Sequence, residues 1–457
     1  MNRKISRRMV LTGLVTATAG LAAACVAPPA APAPAASSKT EAQPTAAPAT
    51  GEKTKVTLSM WTHDNLYVQF FGNRAKEWKD KHPEHEFTFD FQQVPEVFTK
   101  MLASLAANEP VPDLFGIEQG AFPNFMKGGI IDEKFVDLTE LIGGERKNFA
   151  EGRWTPYMSK GKLYGVDSSL CACGFYYQPE VFKKVGLEKF PETWDDLMTA
   201  GKQAAKDGVA LSAMDGEASS IFYLLYLQRG GTAFDKDGNF VLKDSPNKDM
   251  AIEVLNFLKE GVDNKVIYAA TNADFWGQGL MAAYGQGKVA GVPGADWYSD
   301  FILKANAKDM SGKWRLAKLP KWKSGGHSAS VWGGTGFAIT KASKNPQLAW
   351  DLLHYSYMTK ENQIKRFEEI KYLPHMLDAI NDPRVTDVKD PYFGDQQTGK
   401  VWAEVAGDLP FLYQSPVRGD MEKALGTAVT NVVAGKAKAE DALNEVISIT
   451  QKAIQDL

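Results

Sequence analysis

Apolar positions between residues 55 and 118 fall into short runs separated by longer amphipathic stretches. KVTLSMW, 55 to 61, is apolar and β-branched and predicts a first strand. A helix-like stretch from about Tyr67 to Asp80 follows and stops at His82-Pro83. FTFDFQQV, 87 to 94, alternates with period two and predicts a second strand. VFTKMLASLAA, 97 to 107, predicts a helix, and VPDLFGIE, 111 to 118, a short buried third strand. Helices alternating with short strands predict an α/β fold with a largely parallel sheet.

The pattern then changes. LYGVDSSLCACGFYYQ, 163 to 178, predicts one long apolar strand. Thr193 with Asp196 three places on predicts a capped helix, closed by Gly208. Ser245 as cap with Pro246 at the first position predicts another, carrying Ile252, Leu255 and Leu258 on one face. Asn345-Pro346 predicts a third in the same way. The C-terminal stretch predicts two amphipathic helices broken at Gly435. FDKDGNF, 234 to 240, looks like a fragment of a calcium loop but lacks the closing glutamate, so Asp237-Gly238 predicts a β-turn. No repeat of 20 to 50 residues is visible.

The N-terminus adds an address. Arg3, Lys4, Arg7 and Arg8 precede a weakly apolar run from Met9 to Ala24. That run falls short of the roughly 20 residues of a membrane span and predicts an export signal. SRRMVL resembles a twin-arginine signal. Ala22, Ala23, Ala24 and Cys25 resemble a lipoprotein cleavage box, with Ala22 where a leucine is usual. Lipidation is expected at Cys25. Residues 26 to 50 are mostly Ala and Pro with Ser and Thr, a composition that builds no core and predicts a tether.

Charge and motifs narrow the function. The formal charge of −3 becomes −7 once the four positive charges of residues 1 to 24 are removed. A mildly acidic chain is a poor partner for nucleic acid. There is no P-loop signature, no H-E-x-x-H and no G-x-S-x-G elbow. His82 and His85, in KDKHPEHE, read as a solvated turn rather than a metal site. After Cys25 only Cys171 and Cys173 remain, which excludes a multi-disulfide framework. On one strand they would face the same side as two buried thiols, the favoured reading, or close a strained disulfide. A metal or redox pair is the remaining alternative. No cofactor, no metal and no catalytic set is expected.

Five blocks in order carry a resemblance. They are PDLFGIEQGAFPNFMKGGIIDEKFVDLTELI, KGKLYGVDSSLCACGFYYQPEVFKKVGLEKFPETWDDL, MAAYGQGKVAGVPGADWYSDF, VWGGTGFAITKASKNPQLAWDLL and GKAKAEDALNEV. Together they resemble the extracellular sugar-binding proteins of ABC importers, the maltose-binding-protein-like family, over residues 55 to 457. Asp167 stands where the family commonly has proline, and Gln178 where asparagine is common. The resemblance implies a two-lobed periplasmic-binding-protein-like fold of type II, with ligand in the cleft between lobes joined by crossing strands. It implies an export signal at 1–24, an anchor and tether at 25–54, an N-terminal lobe of 55–168 plus 332–378, and a C-terminal lobe of 169–331 plus 379–457. SSLCACGFYY is then the first crossing and VWGGTGFAI the return. The implied role is a non-enzymatic, monomeric receptor, lipid-anchored outside the cell membrane, that hands a sugar or oligosaccharide to permease subunits. The alternatives are a secreted carbohydrate-active enzyme and a receptor for glycerol phosphate or another small polar metabolite.

Sugars offer apolar C–H faces and a rim of hydroxyls, so a site needs aromatic plates with fixed polar partners. Among 11 tryptophans, Trp297 matches the family position that stacks on sugar, and Trp332 lies beside the glycine-rich return. Tyr223 is a third aromatic candidate. Polar candidates come from strand ends: His63, Asp64 and Asn65 after the first strand, Glu118 and Gln119 after the third. Asp167 and Asp296 are weaker candidates. Arg418 could orient a hydroxyl or an acidic group, but is expected to pair with Asp420. Trp61 and Trp276 read as core, Trp276 with the option of lining the cleft.

Overall fold

The computed structural model describes residues 53–457. The export signal, Cys25 and nearly all of the expected tether lie outside these residues. The first sheet is built as its sequence alternates. Thr54–Thr62 buries Val56, Leu58, Met60 and Thr62 on alternate positions. It runs parallel to His85–Gln93 on one side and to Leu114–Glu118 on the other. Thr335–Ile339 then joins Leu114–Glu118 antiparallel, and Val166–Asp167 pairs with its far side. The expected parallel sheet is thus parallel only for its first three strands, because its last two come from segments leaving and re-entering the lobe.

The second lobe has a different sheet. Ala172–Tyr177 is its centre, antiparallel to Gly291–Ala295 and Arg315–Ala317, with Ser330–Val331 paired to its first residues. A parallel pair, Ser212–Asp215 with Ile267–Ala270, lies nearby. The helices Arg418–Val433 and Ala439–Gln455 pack on each other and on Asn247–Asp263. Gly435, at φ +71°, breaks them as expected. The architecture is the two-lobed type II arrangement.

Three segments cross between the sheets side by side. The first runs through Ser168–Cys171, the second through Trp332–Gly334, the third through Lys371–His375. Ser168 N–H donates to the Thr335 carbonyl, Leu170 N–H to Leu373, and Trp332 N–H to Cys171, at 2.9, 3.1 and 3.1 Å. The single long strand expected over 163–178 is therefore three pieces, Lys162–Leu163, Val166–Asp167 and Ala172–Tyr177. Its middle is spent on the crossing. Cys171 sits there at φ +48°, in the left-handed region, so it is not on one strand face with Cys173. Both thiols are free and buried, and burial pushes both thiol pKa values up.

Local signals held with small shifts. Thr193 Oγ1 accepts the Asp196 N–H at 3.1 Å and caps Trp194–Ala204. Ser245 does not cap its helix backbone; its hydroxyl bonds the Asp249 carboxylate instead. Asp235 Oδ1 accepts the N–H groups of Asp237 and Asn239, each at 2.9 Å, which makes the DKDG segment a turn. Gln178 fills its departure from the family pattern by donating to the carbonyls of Tyr284 and Val289. Among the described residues no helix is long and apolar enough to cross a membrane, and no His/Cys/Asp/Glu group is arranged to hold a metal.

Candidate functional site

A cavity of about 310 Å³ opens between the end of Leu114–Glu118 in the first lobe and the start of helix Ser220–Gln228 in the second. Five of the residues expected from sequence line it: Glu118, Gln119, Tyr223, Trp297 and Trp332. Strand ends and helix starts position them, as α/β ligand sites require.

The aromatic wall is built from three indoles. Trp297 and Trp332 are half-buried with ring centres 5.3 Å apart and planes crossed at 65°. Trp276 stacks on Trp297 at 6.3 Å and meets Trp332 edge-on at 5.6 Å, so it supports the plates from behind. Trp297 Nε1–H donates to the Trp332 carbonyl at 2.9 Å. That bond ties the plate to the second crossing. Trp61 faces elsewhere, with the Lys100 ammonium over its ring at 4.3 Å.

The polar groups are arranged with capacity to spare. Gln119 Oε1 and Ser220 Oγ are buried atoms without a hydrogen-bond partner. Buried polar atoms are rarely left so, and a ligand hydroxyl is the natural partner. Glu118 Oε2 accepts the Gly120 N–H at 2.6 Å. Burial raises the Glu118 carboxyl to about 7, against the pull of the Gly120 N–H and of Arg418. An unfolded glutamate titrates near 4.5, so the native state holds an extra proton between about 4.5 and 7. The contribution of Glu118 to stability is then full below about 4.5 and lost as pH rises through about 7. Glu118→Gln is expected to flatten the fall of Tm between pH 5 and 8, read by thermal melts in matched buffers. An unchanged slope would mean that Glu118 titrates normally.

Arg418 is the basic residue of this cavity and it is fully engaged. Its Nη2 lies 2.7 Å from Glu422 and Nε donates to the same carboxylate at 2.9 Å. Nη1 donates to Gln414 Oε1 at 2.8 Å, and the guanidinium lies 5.0 Å over the Tyr223 ring. The expected pairing with Asp420 does not form; Asp420 approaches Lys127 at 3.4 Å. Residues two apart on a helix point to different sides, whereas four apart share a face.

Three candidates are elsewhere. Asp64 Oδ1 accepts the Leu66 N–H at 2.9 Å and caps helix Asn65–Lys79, and its Oδ2 accepts the Tyr372 hydroxyl at 2.5 Å. Its oxygens are used by the fold. His63 packs between Tyr67 and Phe98, with a buried Nδ1 lacking a partner and a pKa lowered by burial. Asn65 is exposed at the helix start. None of the three lines the cavity. Asp167 and Asp296 are buried at the crossings, where Asp296 accepts the N–H groups of Cys171 and Trp297 at 3.0 and 2.7 Å. Ser220, Glu422 and Gln414 were not read from sequence. The one available signal was the i, i+4 spacing of Arg418 and Glu422.

A model of the bacterial extracellular solute-binding proteins matches residues 73–392. The chain belongs to this family. Among curated solute-binding proteins, the arabinooligosaccharide-binding protein of Bacillus subtilis (strain 168) is 30% identical over 353 residues, covering 76% of this chain and 80% of the relative. The galactooligosaccharide-binding protein of the same organism is 21% identical over 409 residues, covering 84% and 90%. A cyclo/maltodextrin-binding protein solved with maltotetraose superposes with a TM-score of 0.70 at 20% identity, covering 89% and 99%. At that identity the likeness shows the fold. The match to an extracellular family also gives this chain an extracytoplasmic setting.

Proposed function

We propose that this solute-binding protein captures a neutral sugar or oligosaccharide in the interlobe cavity and delivers it to the permease of an ABC importer. One observation carries the reading. Two crossed tryptophan plates face a cavity whose buried Gln119 Oε1 and Ser220 Oγ have no partners. Crossed plates suit apolar C–H faces, and unpartnered polar atoms suit hydroxyls. Oligosaccharides are the cargo named for the relatives, which supports the same class here. A phosphate ligand is disfavoured, since Arg418 already serves Glu422 and Gln414. Lobe limits of 55–168 plus 332–378 and of 169–331 plus 379–457 go with this reading.

A carbohydrate-active enzyme would need a second carboxylate set against Glu118. Glu422, the other carboxylate of the cavity, is held by Arg418, and Asp64 is committed to a helix cap and to Tyr372. Incubation with an oligosaccharide followed by chromatography is expected to return it unchanged; cleavage products would favour the enzyme. The direct test is a thermal-shift screen of the mature domain, without anchor and tether, against mono-, di- and oligosaccharides and glycerol phosphates. A ligand at 100 times its Kd adds about 2.7 kcal/mol of stability. A shift from a phosphate alone would sink the sugar assignment.

Lipid anchoring at Cys25 belongs to the same proposal. Cys25→Ser is expected to move the protein from the membrane fraction to the culture medium, followed by immunoblot. Continued membrane retention would mean another anchor.

A further inference from the structure

The cavity does not end at its own walls. Ala218, Ser219 and Glu422 line it on one side and also line an outward groove of about 560 Å³. That groove runs between the Glu217–Ser219 loop and helix Arg418–Val433, within the second lobe. Helix and loop lie close together: Thr430 Oγ1 donates to the Gly426 carbonyl of its own helix at 2.9 Å and stands 3.1 Å from the Gly216 carbonyl. The groove has no aromatic plate. Polar and charged side chains, Glu217, Ser219, Lys423, Thr427 and Asn431, stand along it. The Ser219 hydroxyl and the Asn431 carboxamide make no side-chain hydrogen bond among the described residues, so both have free donors and acceptors.

From this shared rim we infer that the groove is an outer saccharide subsite, which takes the units of an oligosaccharide that extend beyond the cavity past Ser219 and Glu422. It rests on the saccharide reading above and adds the ligand's length and exit. The cavity supplies stacking and therefore most of the affinity. The groove supplies hydrogen bonds without stacking, so each further unit adds a smaller increment. Arg418 marks the turn from one to the other, because it holds Glu422 in the wall they share. Affinity then rises with chain length past the units the cavity holds.

The test is calorimetry on the full chain with arabino-, galacto- and maltooligosaccharide ladders of two to six units. For whichever ladder binds, Kd is expected to tighten with length. Thr427→Trp, an exposed helix position, fills the groove and is expected to hold the longer members near the Kd of the disaccharide, a loss of about tenfold. Disaccharide binding stays within about twofold of the parent. Asn431→Ala, a gentler change, is expected to weaken only the longer members. If a ladder binds but Thr427→Trp follows the parent at every length, or if parental Kd is independent of length, the groove is not a subsite. If no ladder binds, the saccharide reading fails first and this inference goes with it.

Discussion

Trp297→Ala is expected to weaken sugar binding by tenfold or more while the protein stays folded. The half-buried Trp297 ring forms a wall of the cavity, stacks on Trp276 and crosses Trp332. Removing it takes away the buried area of one sugar face together with roughly 0.5–1.5 kcal/mol of specific stacking. Each 1.4 kcal/mol is about a factor of ten in Kd. A second loss adds to this. Trp297 Nε1–H is bonded to the Trp332 carbonyl, so truncation frees the second crossing at the point where it passes the cavity. Trp297→Phe separates the two effects. It keeps an aromatic face and deletes the N–H, so it is expected to fall between parent and alanine variant. Calorimetry gives Kd, and circular dichroism with a melt checks the fold. An alanine variant that binds like the parent would reduce Trp297 to packing and remove the central support for the carbohydrate reading.

Why some of this was legible in the chain and some was not comes down to the range of the interactions. The helix Val97–Ala107 and the cap at Thr193 are local, set by side chains within four residues, and both stood where the pattern put them. Asp64 lies in the helix cap rather than in the cavity, because the helix begins at Asn65 and not at Tyr67. With that start it is an ordinary Asp cap. Trp297 and Trp332 are 35 residues apart and meet through a backbone carbonyl. That meeting follows from the order of strands, not from periodicity; the family resemblance pointed to Trp297 alone, and the glycine-rich return to Trp332. Tyr223 shows the limit from the other side. Its helix is buried throughout, as a plain core helix would be, yet its ring lines the cavity under Arg418. Glu422 had only the i, i+4 spacing to Arg418 as a signal, and a carboxylate one helical turn from an arginine is usually a surface pair.

The largest expected loss of stability lies at the crossings rather than in the cavity. Arg153 and Asp167 are both fully buried, and Arg153 Nη2 stands 2.6 Å from Asp167 Oδ2. The same Nη2 donates to the Gly333 carbonyl at 2.9 Å, in the second crossing. Asp167 Oδ1 in turn accepts the Ser168 N–H at 2.7 Å, in the first. One ion pair thus holds two of the three connections in register. Gly334 is required beside it: at φ +119°, any Cβ there would run into the guanidinium. Burial pushes the Asp167 carboxyl up to about 6 against the opposing pull of Arg153, and Arg153 remains charged. Arg153→Ala leaves that carboxylate buried and alone, which costs about 3–5 kcal/mol when a buried pair loses one member. Urea unfolding is expected to show this loss. With the counter-charge gone, the Asp167 pKa rises further above its unfolded value. The variant's added instability is therefore expected to shrink as pH falls toward about 6 and to level off below it, where the carboxyl is protonated in parent and variant alike. Arg153→Met with Asp167→Leu removes both charges and most of the desolvation cost, so it is expected to recover much of the stability. Its sugar binding is the discriminating readout. If the pair serves stability alone, the double variant binds like the parent. If it also holds the crossings where Trp297 meets Trp332, affinity stays low after stability returns. A single variant as stable as the parent at pH 7 would mean that the pair carries no structural weight, and the register of the crossings would then rest on their backbone hydrogen bonds alone.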